Sequence, residues 1–180
     1  MRQEREGILL HACCAPCATH VIEVLSKNYT VTIYFYNPNI YPEQEYERRL
    51  KDVERVCSIT GTFLVVADYD NDAWNERVKG LEDEPEGGRR CAACFEMRLA
   101  RTAGYAAENA FKLFASTLTV SPHKNAPVIN GIGNAVCRLP GTRYLESDFK
   151  KNDGFKKSCN LSRLYGLYRQ SYCGCIYSME

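Results

Sequence analysis

The sequence predicts an α/β protein, a three-layer, doubly wound parallel sheet with helices on both faces. Three observations predict it. Short apolar or β-branched runs recur at residues 7–12, 30–37, 63–69, 113–120 and 142–149, each the length of a strand. Helix-period segments separate them, and strand–helix alternation marks a parallel sheet covered on both faces. The densest chemistry in the chain, His11-Ala12-Cys13-Cys14-Ala15-Pro16-Cys17, directly follows the first run. In open α/β sheets that is where ligands bind.

The first strand carries Ile8-Leu9-Leu10 and feeds a helix from about Thr19, whose inner face is Val21, Val24 and Leu25. The second, TVTIYFYN, is β-branched and aromatic, and Asn37-Pro38-Asn39 breaks it. Pro42 followed by acidic residues starts a helix. Tyr46, Leu50, Val53 and Cys57 recur along it at helical spacing until it stops near Gly61. The third strand precedes a short helix around Trp74 and Val78. The acidic run EDEPEGG at 82–88 is a loop, leading into a long helix over 91–110. The fourth strand ends in Ser121-Pro122-His123-Lys124. A helix over 126–138 follows, with Cys137 among its apolar residues and Pro140-Gly141 after it, and the fifth strand comes next. From Lys150 the chain turns basic and Tyr-rich, with Arg163, Tyr165, Tyr168, Arg169 and Tyr172 before Cys173-Gly174-Cys175. Residues 150–180 read as an extension wrapping back onto a single domain spanning 1–180.

A length of 180 residues suits one domain with a real core. A net charge of +1 rules out a generally basic nucleic-acid coat but leaves room for a local basic patch. The N-terminus is charged over residues 1–6, and the apolar run after it is far too short for a signal or membrane segment. The expectation is a cytoplasmic protein with no membrane partner, where thiols stay reduced. Ten cysteines then read as metal binding or redox chemistry.

Cys91 and Cys94 share one face of their helix start and can complete a four-thiolate site with two of Cys13, Cys14 and Cys17. Such sites hold zinc or an iron–sulfur cluster. Adjacent Cys13 and Cys14 suit neighbouring irons better than one tetrahedral ion, and a structural zinc knot would be misplaced at a ligand-binding turn. If Cys13, Cys14, Cys91 and Cys94 hold a cluster, Cys17 is left over. Asp68 and Asp70 lie just past the third strand. These groups either bind a second, mononuclear iron or donate protons, with Asp70 the candidate donor. The plainer alternative is a buried helix-start cysteine and two capping aspartates. Cys173 and Cys175 read as a redox pair, because a disulfide across one residue is strained and easily reduced. Cys57 and His11 read as core, and His20 as ordinary. Cys159 has no reading. His123 divides evenly between site and surface, and Arg98 between balancing the charge of a cluster and plain solvation.

The combination HACCAPC, FYNPNIYPEQEY, GRRCAACFEMRL, TLTVSPHKN and LYRQSYCGCIYS resembles the QueH family of epoxyqueuosine reductases over about residues 7–178. The resemblance implies an adenine nucleotide alpha hydrolase-like fold and the last step of queuosine biosynthesis. That step is the reductive removal of the epoxide oxygen of epoxyqueuosine at the tRNA wobble position. It implies a [4Fe–4S] cluster on Cys13, Cys14, Cys91 and Cys94, a redox-active Cys173/Cys175 pair, epoxyqueuosine-bearing tRNA as partner and an unidentified electron donor. The loop after the first strand lacks the glycines that let backbone approach a phosphate, which argues against ATP. Two rivals are an iron–sulfur tRNA thiolation enzyme, which needs that ATP loop, and a zinc-stabilised RNA-binding module without catalysis. The wobble nucleoside has to leave its stack, and the basic, tyrosine-rich tail is the expected stacking platform.

Overall fold

A computed structural model describes residues 5–137 and 140–179. The expected helix end at Arg138 and most of the charged N-terminal run, residues 1–4, lie outside them. Five strands form one sheet in the order β3-β2-β1-β4-β5. They are β1 (Gly7–His11), β2 (Thr30–Phe35), β3 (Phe63–Val66), β4 (Leu113–Ser116) and β5 (Arg143–Tyr144). Every pairing is parallel. The helices are α1 (Ala15–Leu25), α2 (Glu43–Thr60), α3 (Asn71–Val78), α4 (Arg89–Glu108), α5 (Ala126–Ala135) and α6 (Gly154–Leu164).

Strand alternation splits the core into two layers. Ile8, Leu10, Val31, Ile33 and Phe35 face one side, with Val21 of α1 and Val53 and Val56 of α2. Leu9, Tyr34 and Phe114 face the other, with Leu99 of α4 and Ile129 of α5. Leu10 is fully buried, so truncation to alanine costs about 2–5 kcal/mol. The chain winds outward from β1 in both directions, so the loops leaving β1 and β4 diverge. A crevice opens between them, as at any topological switch point.

Several boundaries differ from expectation. Helix α1 begins at Ala15, not near Thr19, with Pro16 in its first turn. Proline fits there because its missing N–H has no helical partner in any case. Cys17 therefore lies inside the helix. The run Thr117–Val120 continues not as strand but as a 3-10 turn, with Ser116 Oγ accepting from the Leu118 N–H. Strands β2 and β3 stop short of Asn37 and Tyr69, and β5 is two residues long. The basic tail contains α6, which packs along α1. Its contact face is made of small residues: Ser158 Oγ donates to the Pro16 carbonyl at 2.5 Å, and Ser162 is fully buried.

Candidate metal centre

The turn after β1 is held by hydrogen bonds to β2 and to the segments just past β2 and β4. Ala12 N–H donates to the Tyr34 carbonyl at 3.1 Å. Asn37 Nδ2 donates to the Ala12 carbonyl at 2.9 Å, and Cys13 N–H reaches Thr117 Oγ1 at 3.3 Å. Cys14 occupies the N-cap position of α1, yet its side chain caps nothing. Its sulfur instead receives Gln170 Nε2 at 3.0 Å and stands 3.8 Å from the Cys13 sulfur. The sulfurs of Cys13, Cys14 and Cys17 lie within 4.8 Å of one another, the one such group of three metal-ligand side chains among the described residues. Cys17 therefore lies beside Cys13 and Cys14.

One negative charge settles on this group. Cys13 sits well below the ordinary thiol range because the Cys14 and Cys17 thiols hydrogen-bond to it, with Arg98 and Lys124 adding to the pull against burial. The thiols that share with Cys13 shift the other way, Cys14 to about 11 and Cys17 well upward. A thiolate is the form that binds metal.

Cys91 and Cys94 occupy the first two turns of α4 and lie outside that group of three. Gly87 N–H donates to the Cys91 sulfur at 3.2 Å. Cys94 is buried with Trp74, Val78 and Cys175. Burial raises both thiols. The Gly87 bond opposes this at Cys91 and Arg98 at Cys94, while proximity to Cys173 adds to the rise at both. Arg98 links the two thiol regions. It is 1% exposed, donates to Asn37 Oδ1 at 2.6 Å and reaches the Cys94 sulfur at 3.9 Å. Its Nε has no partner among the described residues. Burial works against this cation, while the neighbouring Cys94, Cys13 and Cys173 sulfurs work for it and leave its pKa above the ordinary value. Plain solvation is therefore excluded for Arg98.

Cys173 and Cys175 arrive on a strap over residues 165–175. Arg49, 2% exposed, donates to the Cys173 carbonyl at 2.9 Å and the Tyr172 carbonyl at 3.2 Å, and pairs with Glu45 at 2.7 Å. Tyr168 N–H bonds Asp52 at 2.6 Å, and Tyr41 N–H bonds the Gly174 carbonyl at 2.8 Å. Gly174 has φ +127°, and a Cβ there would lie 3.0 Å from Arg49 Nη1 and 3.1 Å from Ile40 Cγ1. Only glycine fits both conditions. The tail's tyrosines point inward: Arg48 stacks on Tyr168 at 3.4 Å, and the Tyr172 hydroxyl bonds the Tyr41 carbonyl at 2.6 Å. These contacts anchor the strap.

The single residues sort as follows. Asp70 is exposed and caps α3, accepting from Ala73 N–H at 3.3 Å, and Asp68 is exposed. His11 is fully buried between Ser116 Oγ (3.0 Å) and the Tyr36 carbonyl (3.1 Å). Burial, aided by Arg98, lowers its pKa to about 3, so it stays neutral. His20 is buried within α1, Cys57 lies in the core, and Cys137 packs against the second layer. Sequence reasoning missed Arg49, Thr117 and Gln170, and took Asn37 only as a strand terminator. An amide or hydroxyl that meets sulfur from a distant segment leaves no periodic signal.

The crevice forms a cavity of about 700 Å³. Cys13 and Cys17 line it from the β1 turn, Lys124 from the β4 loop, and Arg169 and Cys173 from the strap.

Residues 8–180 match the family described as epoxyqueuosine reductase QueH. The chain belongs to this family. QueH from Streptococcus pyogenes serotype M1 is 46% identical over 182 residues, spanning 98% of this chain and 71% of that one. QueH from Staphylococcus epidermidis is 44% identical, over 97% and 77%. QueH from Thermotoga maritima is 35% identical, over 96% and 90%. Among solved structures, the U34-tRNA thiolase NcsA from Methanococcus maripaludis, with its [4Fe-4S] cluster, superposes with a TM-score of 0.62 at 12% identity. The match covers 99% of this chain and 63% of that protein, and the likeness is one of fold. Among the described residues no helix is long and apolar enough to cross a membrane.

The iron–sulfur cluster that the QueH resemblance implies can be tested against these residues. Thiolates are the soft donors that such clusters require. The buried Arg98 has no carboxylate partner among the described residues and retains an orphaned Nε. A buried cation demands a counter-charge, and an anionic thiolate-ligated group provides one. The residues fit.

Proposed function

We propose that this chain reduces epoxyqueuosine in tRNA to queuosine, using a [4Fe–4S] cluster held by Cys13, Cys14, Cys91 and Cys94. The observation that carries this reading is Arg98, a buried cation between the β1 turn and the α4 cysteines, in a member of the QueH family. Epoxide plus two electrons and two protons gives alkene plus water. When bound, the cluster supplies one-electron transfer at a potential the protein can set.

The chain's own groups do the remaining work. Asn37 ties the Ala12 carbonyl to Arg98 and so fixes the distance between the two thiol regions. Gln170 donates to the Cys14 sulfur, a bond of the kind that tunes a ligand. Cys173 lines the cavity and Cys175 lies buried behind it. Their oxidation to a disulfide releases two electrons and two protons, which matches the reaction, and an external donor then restores the thiols. Asp70 enters as a helix cap. Its assignment to a further iron with Cys17, or to proton donation, rests on the sequence. The reaction belongs in the cytoplasm, with tRNA.

Purification without oxygen, with iron, acid-labile sulfide and zinc analysis, tests the cofactor. About four irons and four sulfides per chain are expected, and iron above that count would support the second metal. Incubation with epoxyqueuosine-bearing tRNA and a reductant should yield queuosine by nucleoside mass spectrometry. One tightly held zinc without visible colour, or no product from iron-loaded protein, overturns the reading.

A further inference from the structure

The cavity is lined by Cys13, Cys17 and Cys173 and by the cations Arg98, Lys124 and Arg169. Among the described residues that line it, Glu86 is the only acid. Lys124 has no side-chain hydrogen bond or ion pair among the described residues. Its carbonyl is pinned by Lys150 Nζ at 3.3 Å, and Lys150 is itself neutralised by Asp148 at 3.0 Å. Arg169 is exposed and has no acid partner among the described residues. Ser162 Oγ holds it at 3.3 Å, with the guanidinium 5.7 Å from the Phe155 ring. Arg98 also faces the cavity but is pinned by Asn37 and Cys94. Lys124 and Arg169 therefore line the cavity with no carboxylate partner among the described residues, although Lys124 also lies close enough to Cys13 to stabilise its thiolate.

We propose that Lys124 and Arg169 form a phosphate cradle for a single-stranded RNA loop, with Phe155 offering a ring face to the nucleoside that enters beside Cys13 and Cys173. The inference rests on the tRNA substrate of the preceding subsection and assigns residues to its recognition. Phosphate fits because the two groups are an ammonium and a guanidinium, which bind phosphate as a point charge and as a fork. An aromatic ring beside them is the usual partner of an unstacked base. Phe155 is 36% exposed on the cavity wall. Tyr168 is covered by Arg48 of α2, and Tyr172 lines the cavity with its hydroxyl held by the Tyr41 carbonyl. A volume of about 700 Å³ lies within the range of sites that enclose a small molecule, so it admits one flipped nucleotide and not a duplex.

The test is a fluorescence-anisotropy titration of an anticodon stem–loop RNA against iron-loaded protein across a salt series. Lys124→Ala and Arg169→Ala should each weaken binding several-fold. Each should also reduce the slope of log K against log salt by roughly 0.7, the value for one lost phosphate contact on a single strand. Lys124→Arg and Phe155→Tyr should keep most of the parent's affinity while Phe155→Ala loses it, and iron content and the visible spectrum should match the parent in every variant. Unchanged affinity and slope in the alanine variants overturn the cradle. So does a fall in kcat at constant affinity, which would place Lys124 on the reacting oxygen instead. Guanosine monophosphate competing at concentrations close to those of the stem–loop would also overturn the loop assignment. Parent protein that binds the stem–loop with this salt slope yet leaves epoxyqueuosine unreduced would sink the proposed reaction and leave the cradle standing.

Discussion

The turn after β1 and the strap before Cys175 deliver cysteines to one cavity, but the first is held from within the sheet and the second from outside it. The turn is fixed by Tyr34, Asn37 and Thr117, groups at the ends of buried strands or in the loops that follow them. The strap has no strand neighbour. Its carbonyls at Tyr172, Cys173 and Gly174 are satisfied by the Arg49 side chain and the Tyr41 amide. Core-anchored segments open with energies near that of global unfolding, and surface-held ones open locally at lower cost. A stiff turn suits thiols that keep one resident group. A clamped strap suits thiols that alternate between two oxidation states.

Breaking the turn gives the largest effect. Cys13→Ser or Cys14→Ser should abolish iron and sulfide content and bring turnover to background, and either variant with full iron would end that residue's ligand role. Next comes the strap's chemistry: Cys173→Ser or Cys175→Ser should keep the parent's iron and spectrum while multiple turnover is lost. A serine variant that still turns over many times would remove the redox pair from the reaction. Arg49→Met separates the two regions physically. Removing one partner of a buried pair costs about 3–5 kcal/mol, here felt locally, so amide exchange over residues 168–175 should accelerate while that of the β1 turn does not. Uniform acceleration would mean that the clamp supports the whole fold. Arg98→Met should shift the cluster's midpoint potential to more negative values by removing a buried positive charge, with Arg98→Lys falling between; equal potentials in all three would refute the counter-charge role. The smallest effect is Gly174→Ala, at roughly 1–3 kcal/mol for a side chain forced to φ +127°, measurable as a lower urea midpoint.

The same contrast explains what could be read from the chain. The β1 turn was legible because a strand, a thiol cluster and a helix start lie consecutively, and the sheet order then brings Thr117 beside them. Helix α2 was legible because Tyr46, Val53 and Cys57 are apolar at helical spacing and Gly61 ends it in the left-handed region. The strap and α6 were not. The buried face of α6 is Gly154, Ser158 and Ser162, small residues invisible to hydrophobic periodicity that let the helix lie close to α1. The run Thr117–Val120 misled for the opposite reason: its β-branched Thr117, Thr119 and Val120 and its apolar Leu118 are all buried, yet the chain turns there as the crevice opens. Arg98 was undecided in sequence because helical spacing gives its face but not its burial.

That buried guanidinium also bears on how long the polypeptide survives in a cell. A ligand that binds only the folded state stabilises it by mass action, and neutralising a buried cation with no carboxylate partner adds to the gain. Iron-loaded chains should therefore melt higher and resist proteolysis longer than metal-free ones, and Arg98→Met should narrow both gaps; equal gaps in parent and variant would disprove the link. Through one arginine, the abundance of the enzyme would follow iron nutrition with no dedicated sensor.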